Sequence, residues 1–324
     1  MRQVLFHRRF RSFTGGHMKV WDYFNHVRES GDHAASIYFT SDTVWNDSNP
    51  WNALRDNPAL VFHRRPAFTP DILFVAGRDW QMLPNKEHKR SSVPVINLIQ
   101  SIFHADPPSR WSRLFRHGRT RYDFLAYRAI RICASTQIAD AITATGRVNG
   151  PLFVIPYGLI SDDLPAPNPQ RDWDVLILGL KNPSAALEVE KQLRRHWNGP
   201  ITVVTTLLSR AEFLALINRS QVTVFLPCRT EGFYIPALEG MALGTVVVCP
   251  DCGGNRSFCV PGDNCFRPNY AVPDLVAATL TALKQGSNER QQMVAKARGT
   301  ALRHDIMTER RRFLELVRGA NSLW

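Results

Sequence analysis

The chain has 324 residues, 44% of them hydrophobic and 21% charged, with a formal net charge of +12. That length exceeds what one hydrophobic core usually serves, so two domains are expected. No apolar run approaches the roughly 20 residues that span a bilayer. The basic start, "MRQVLFHRRFRSF", lacks the apolar stretch and cleavage site of a signal peptide, and a cytoplasmic protein is expected.

In chain order, "QVLFHRRF" reads as a strand leading into "TGGHMKVWDYFNHVRES", a glycine turn followed by an amphipathic helix. "DILFVAG" (71–77) and "PVINLIQ" (94–100) are apolar strand runs. "AIRICAS" (129–135), a helical pattern in "TQIADAITATG" and the strand-like "LFVIPYG" (152–158) complete the first half. The proline-rich "PYGLISDDLPAPNPQRDWD" reads as a linker. The expected domains are residues 1–160 and 161–304, with a C-terminal helix over 305–324.

The second half alternates regularly. "WDVLILGL" (173–180) is a buried strand, followed by a helix with Asn182 as N-cap and Pro183 at its first position. "ITVVTT" is a strand, and "SRAEFLALINRS" opens on a capping box, Ser209 with Glu212. "VTVFLP", the short helix "PALEGMALG" ending on Gly244, and "TVVVCP" come next. Helices follow from Pro273 to about Lys284 and from about Asn288 onward. Strands alternating with helices make this an α/β protein with parallel sheets covered on both faces.

Residues 1–155 carry 21 Lys+Arg against 12 Asp+Glu and so hold most of the charge excess. The excess is densest from Arg110 to Arg131, where Asp123 is the lone acid. Arg110, Arg113, Arg116, Arg119 and Arg121 alternate there with Trp111, Leu114 and Phe115. Such a segment suits an anionic surface: lipid headgroups, nucleic acid or an acidic substrate. No helix-turn-helix, zinc-finger or RNA-binding motif accompanies it, so nucleic acid is the disfavoured partner. Six cysteines are present, and Cys249-Pro-Asp-Cys252 has metal-ligand spacing. The later spacings are irregular, so reduced thiols and no metal are expected.

The stretch "RTEGFYIPALEGMALGTVVVCPDCGG" (229–254) sets two acids, Glu231 and Glu239, among glycine, proline and apolar residues. It follows a strand, at the sheet end where ligands of parallel α/β sheets bind. Gly232 allows close backbone approach, and Pro236 starts a helix whose free N–H groups favour an anion such as a diphosphate. Both acids can bond polyol hydroxyls: Glu239 a ribose, Glu231 a sugar ring. Spacing equally allows an exposed Glu231 and a Glu239 that merely answers the helix dipole.

With its flanking "GG" and "PGDNCF", the Glu-x7-Glu block resembles the nucleotide-sugar site of retaining glycosyltransferases of family 4. "CASTQIADAITATG…FVIPYGL" and "TGGHMKVWDYFNHV" resemble that family's segment before its interdomain crossing and its N-terminal glycine loop. The resemblance implies a GT-B fold: two Rossmann-like parallel-sheet domains facing a cleft, the C-terminal helix returning to the first. It implies a nucleotide-diphosphate sugar as donor, a hydroxyl acceptor, and no cofactor or metal. Glu231 would contact the donor sugar and Glu239 the ribose. The backbone at Gly232, Phe233 and Tyr234 would meet the diphosphate, and Gly15 and Gly16 would line the donor–acceptor junction. A family histidine near the transferred sugar corresponds to Gln100, or to His104 four residues on.

Three features depart from that pattern. The family's phosphate-clamping Arg and Lys are replaced by "LGLKNPSAAL", leaving Lys181 to act alone or with another cation such as Arg256. Tyr234 stands where a third glycine is common, a strained choice if φ is positive there. Ser257 stands where an acid is common. The implied role is assembly of cell-surface glycans or glycolipids, on a lipid-linked acceptor at the cytoplasmic membrane face. The alternatives are a sugar phosphorylase or nucleotide-sugar epimerase of the same fold, and a nucleic-acid-binding protein using the basic first half.

Overall fold

In the computed structural model, residues 1–83, 91–101 and 123–324 are described. The chain divides into two compact units, residues 1–156 with 307–324, and residues 157–306.

The first unit is built on a seven-stranded sheet in the order β3-β2-β1-β4-β5-β6-β7. The strands are β1 (Arg2–Arg8), β2 (His33–Phe39), β3 (Val61–Phe62), β4 (Ile72–Ala76), β5 (Val95–Ile99), β6 (Ile130–Cys133) and β7 (Leu152–Val154). Every pairing is parallel. Strands β2 and β3 add to the expected set. "HAASIYF" lies in register with β1 from Arg2↔His33 to Arg8↔Phe39. Its two alanines and serine weaken the apolar signal in the sequence.

Helix α1 (Gly15–Arg28) follows β1, and α2 (Thr136–Thr143) is capped by the Ser135 hydroxyl, which accepts from Ile138 N–H. Phe6 of β1 meets Phe24 of α1 edge-on at 5.5 Å and Phe74 of β4 at 4.5 Å. Residues 307–324 belong to this unit, and Phe313 packs on Tyr23 with ring centroids 4.4 Å apart.

The second unit has a four-stranded parallel sheet in the order β11-β10-β8-β9, comprising β8 (Trp173–Leu178), β9 (Ile201–Val204), β10 (Ser220–Phe225) and β11 (Val246–Val248). Its helices are α3 (Pro183–Leu193), α4 (Arg210–Asn218), α5 (Ile235–Leu243), α6 (Val272–Lys284) and α7 (Ser287–Arg303). A last helix, α8 (Ile306–Leu323), runs into the residues of the first unit. The local signals act as their chemistry dictates. The Asn182 side chain accepts from Ala185 N–H, Ser209 and Glu212 form both halves of the capping box, and Gly244 ends α5 at φ 74°. The core of this sheet is aliphatic, with Val175, Ile177, Val222, Val224 and Val248 buried against Leu193 and Leu275.

Candidate functional site

Strand order in the second sheet reverses at β8: β9 lies on one side of it, while β10 and β11 extend on the other. The crevice beyond the carboxyl ends of β8 and β10 is therefore where an open parallel sheet receives a ligand. Lys181 follows β8 and Glu231 follows β10, and the Lys181 ammonium pairs with the Glu231 carboxylate across this point. The ammonium also lies 5.6 Å from the centre of the Tyr234 ring. Lys181, Glu231 and Tyr234 thus form one group.

Close backbone packing shapes the loop. Gly254 N–H donates to Glu231 O at 3.0 Å. A Cβ on Gly254 would fall 2.2 Å from the carbonyl carbon of Gly232, so the position admits only glycine. Asn255, fully buried, accepts from Cys252 N–H at 3.2 Å and donates to Pro250 O at 2.9 Å, which holds the Gly253–Gly254 turn.

Tyr234 caps α5 with φ −98°, so no left-handed strain arises and the position makes no demand for glycine. Burial drives the Tyr234 phenol well above its ordinary pKa, so it stays neutral. Phe233 turns its side chain inward against Phe258 at 5.1 Å. Pro236, which has no N–H, lies in the first turn of α5, and Ala237 N–H there donates to Tyr234 O at 3.2 Å, so Ile235 N–H is the donor of that turn directed to an anion.

Glu239 has no exposed surface, and its carboxylate pairs with Arg210 at the start of α4. It therefore does more than answer a helix dipole. Arg256, the cation that could help Lys181, makes a forked pair with Asp251: Nε to Oδ1 at 2.8 Å and Nη2 to Oδ2 at 2.7 Å. Its charge is answered by that carboxylate. Ser257 brings no acid, and Asp251 is the carboxylate beside that turn.

In the first unit, Gln100 Nε2 donates to Gly16 O at 3.0 Å, tying the end of β5 to the glycine loop. A Cβ on Gly16 would meet Gln100 Oε1 at 3.0 Å, while one on Gly15 would find open space. Neither glycine has a positive φ. His104 and Arg110, Arg113, Arg116, Arg119 and Arg121 lie outside the described residues.

Sequence reasoning missed Arg210 and Asn255. Arg210 carried a usable signal, because a cation in the first turn of a helix opposes the macrodipole and calls for a nearby acid. No group of three or more metal-ligating side chains occurs among the described residues. No described helix is long and apolar enough to cross a membrane.

Residues 165–300, within the second unit, match the sequence model of a family described as Glycosyl transferases group 1. No curated protein matches the chain. Among solved structures, the chain is similar to sucrose-phosphate synthase from Thermosynechococcus elongatus, at 12% identity and TM-score 0.73 over 99% of this chain and 100% of that one. It is similar to HepE of Anabaena in complex with UDP and glucose, at 13% identity and TM-score 0.73 over 98% and 99% of the two chains. A glycosyltransferase from Rickettsia africae matches at 12% identity and TM-score 0.71 over 97% of both. At these identities the likeness establishes architecture, and with its two parallel-sheet units the chain has the GT-B fold.

Proposed function

We propose that the chain is a retaining glycosyltransferase that moves a sugar from a nucleoside diphosphate to a hydroxyl acceptor. The observation that carries this reading is the Lys181–Glu231 pair at the strand-order reversal of the second sheet, beside the first turn of α5. A diphosphate there meets the positive end of α5 and one ammonium, the arrangement that stabilises a departing anion. Lys181 exchanges Glu231 for the phosphates, and the freed carboxylate takes hydroxyls of the donor sugar. Glu239 takes the ribose. The charge for the leaving group comes from Lys181 and the helix, so the reaction is proposed to run without metal.

The match of residues 165–300 to a glycosyltransferase family model supports the reading. The similar HepE structures include complexes with UDP and with UDP-glucose, which makes these the first ligands to test here. A thermal-shift series with UDP, UDP-glucose, GDP and ADP tests it. A ligand at about 100 times its dissociation constant adds about 2.7 kcal/mol of stability. No shift with any nucleoside diphosphate sinks the reading. Release of sugar 1-phosphate in inorganic phosphate, or of an epimer without acceptor, would reassign the reaction to a phosphorylase or an epimerase.

The arginines of 110–121 support a place at the cytoplasmic face of a membrane, with a lipid-linked acceptor in glycan assembly. Basic residues near an anionic surface contribute about 1 kcal/mol each. Vesicles containing anionic lipid should retain the protein at low salt and release it as salt rises. Indifference to such vesicles removes the membrane from the proposal.

A further inference from the structure

Each strand of the second sheet is followed by a cation: β8 by Lys181, β9 by Arg210, β10 by Arg229 and β11 by Arg256. Acids answer Lys181, Arg210 and Arg256, through Glu231, Glu239 and Asp251 in turn. Arg229 has no hydrogen bond or ion pair among the described residues. Its guanidinium lies instead over the Tyr270 ring, 4.4 Å from the ring centre. That ring is itself fixed, because the Tyr270 hydroxyl donates to Pro227 O, just past the end of β10, at 3.0 Å.

Stacking occupies the face of a guanidinium and leaves its N–H donors pointing outward in the plane. Tyr270 thus holds the Arg229 charge in place without consuming a donor. Arg229 is exposed, so those donors are open to a ligand.

The chain itself keeps Arg229 near the Lys181 group. Glu231 N–H donates to Cys228 O at 3.3 Å, closing a turn that contains Arg229. Two residues separate Arg229 from Glu231, a backbone span of at most about 7 Å. The Lys181 ammonium neighbours the Tyr234 ring at 5.6 Å, and the Tyr270 phenol adds to the burial that raises the Tyr234 pKa. One tyrosine of this neighbouring pair carries Lys181 and the other carries Arg229.

Charge decides the ligand. The positive charge that no acid answers sits on Arg229, and a planar fork of N–H donors suits two oxygens of one oxyanion. A nucleotide sugar brings one negative charge on each of its two phosphates, and Lys181 meets one of them. The sugar is joined to the terminal phosphate. Arg229 shares a turn with Glu231, the acid assigned to that sugar, so the terminal phosphate is the oxyanion within its reach.

Resting on the glycosyltransferase reading, we infer that Arg229 binds the terminal phosphate of the donor nucleotide, with Tyr270 as its positioning residue. The nucleotide is then gripped from two strands, by Lys181 after β8 and by Arg229 after β10. The loop of Glu231 carries a phosphate ligand as well as the sugar ligand.

The test is calorimetry on the full chain at fixed salt and about pH 8, where a terminal phosphate is fully ionised. The probes are UDP, GDP and ADP, each with its monophosphate and its glucose ester, and glucose 6-phosphate. Arg229→Gln should weaken the diphosphate that binds by about tenfold or more. It should weaken the glucose ester less, because esterification removes one ionised oxygen, and it should leave the monophosphate unchanged. Arg229→Lys keeps a point charge without the fork and should fall between. Tyr270→Leu should lose part of the diphosphate affinity and leave the monophosphate alone. Thermal unfolding of Arg229→Gln should match the unsubstituted chain, since the side chain is exposed.

Unchanged diphosphate affinity in Arg229→Gln overturns this inference alone. An equal loss for monophosphate and diphosphate removes the terminal phosphate from Arg229. A loss confined to glucose 6-phosphate would give the arginine to another substrate and likewise overturn it. If no nucleoside diphosphate binds the unsubstituted chain, the glycosyltransferase reading fails, and the inference with it.

Discussion

The guanidinium of Arg210, in the first turn of α4, pairs with the fully buried carboxylate of Glu239 in α5. A cation at a helix N-terminus opposes the macrodipole, so Arg210 is placed for Glu239 and not for its own helix. The two partners should respond unequally to substitution. Arg210→Met strips a buried carboxylate of its cation and should cost about 1–3 kcal/mol in denaturant unfolding, kept below the fully buried case because Arg210 is 42% exposed. Glu239→Gln leaves an arginine that water can solvate and should cost less. The same Gln variant should weaken UDP binding about tenfold or more, since hydrogen bonds to a charged group are worth about 1.5–3 kcal/mol. Unchanged UDP affinity in Glu239→Gln would remove the ribose from this carboxylate.

His7, on β1, is 1% exposed, and neither of its ring nitrogens has a hydrogen-bond partner among the described residues. Burial, with the Arg65 charge second, lowers its pKa from 6.5 to about 3. In acid the unfolded chain binds a proton that the folded chain refuses. The contribution of this histidine is therefore fully present above pH 6.5 and is lost as pH falls from there toward 3, by about 1.4 kcal/mol per unit. His7→Met should flatten the acid limb of a stability profile measured between about pH 6 and 4. An equally steep limb in the variant would show that His7 is not its source.

Lys19, 2% exposed, binds Asp22 at 2.7 Å and Glu309 at 2.8 Å. Burial works against its charge, but Glu309 and Asp22 outweigh burial and hold its pKa above the usual lysine value. Lys19→Met leaves two buried carboxylates facing each other, a loss of about 3–5 kcal/mol. Hydrogen exchange should then quicken most in α8, which also relies on Arg310 with Glu29 and Arg318 with Asp32 at the surface. Adding Glu309→Gln should restore part of the stability, because the repelling acid is neutralised. A double variant as weak as the sum of the singles would show that the two residues act independently.

Five of the six cysteines are buried and Cys228 is exposed. Burial pushes Cys133 and Cys252 up to about 12, and Cys249 and Cys259 also rise, so these thiols hold their protons near neutrality. A thiol reagent should take one equivalent rapidly from the native protein and the other five only after denaturation. Metal analysis should find no stoichiometric zinc. One zinc per chain, lost in a Cys249→Ser, Cys252→Ser variant, would make these residues ligands.

The second sheet was readable because its signals are local. Asn182, Ser209 with Glu212, and Gly244 each act within one helical turn, and "VTVFLP" is apolar enough to declare a buried strand. Strand β2 was not readable, because Ala34, Ala35 and Ser36 are held by their neighbours β1 and β3 more than by their own propensity. The site divides the same way. Glu231 and Glu239 stand out as acids in apolar company, but their partners Lys181 and Arg210 are 50 and 29 positions upstream of them in the chain. The bond from Arg8 to Asp79 is invisible for the same reason, since the two are 71 positions apart in the chain.

The return of residues 307–324 to the first unit has a consequence for synthesis. Domains made on the ribosome usually fold as units in the order they emerge. Here Tyr23 and Phe74 must wait for Phe313, and Lys19 for Glu309, until the whole of the second unit has been translated. The second unit, closed by residue 306, is the one free to mature first. A nascent chain halted after the second unit would thus carry a finished partner behind an unfinished leader, its aromatic face and buried lysine still uncovered. That interval is when chaperones would find this protein.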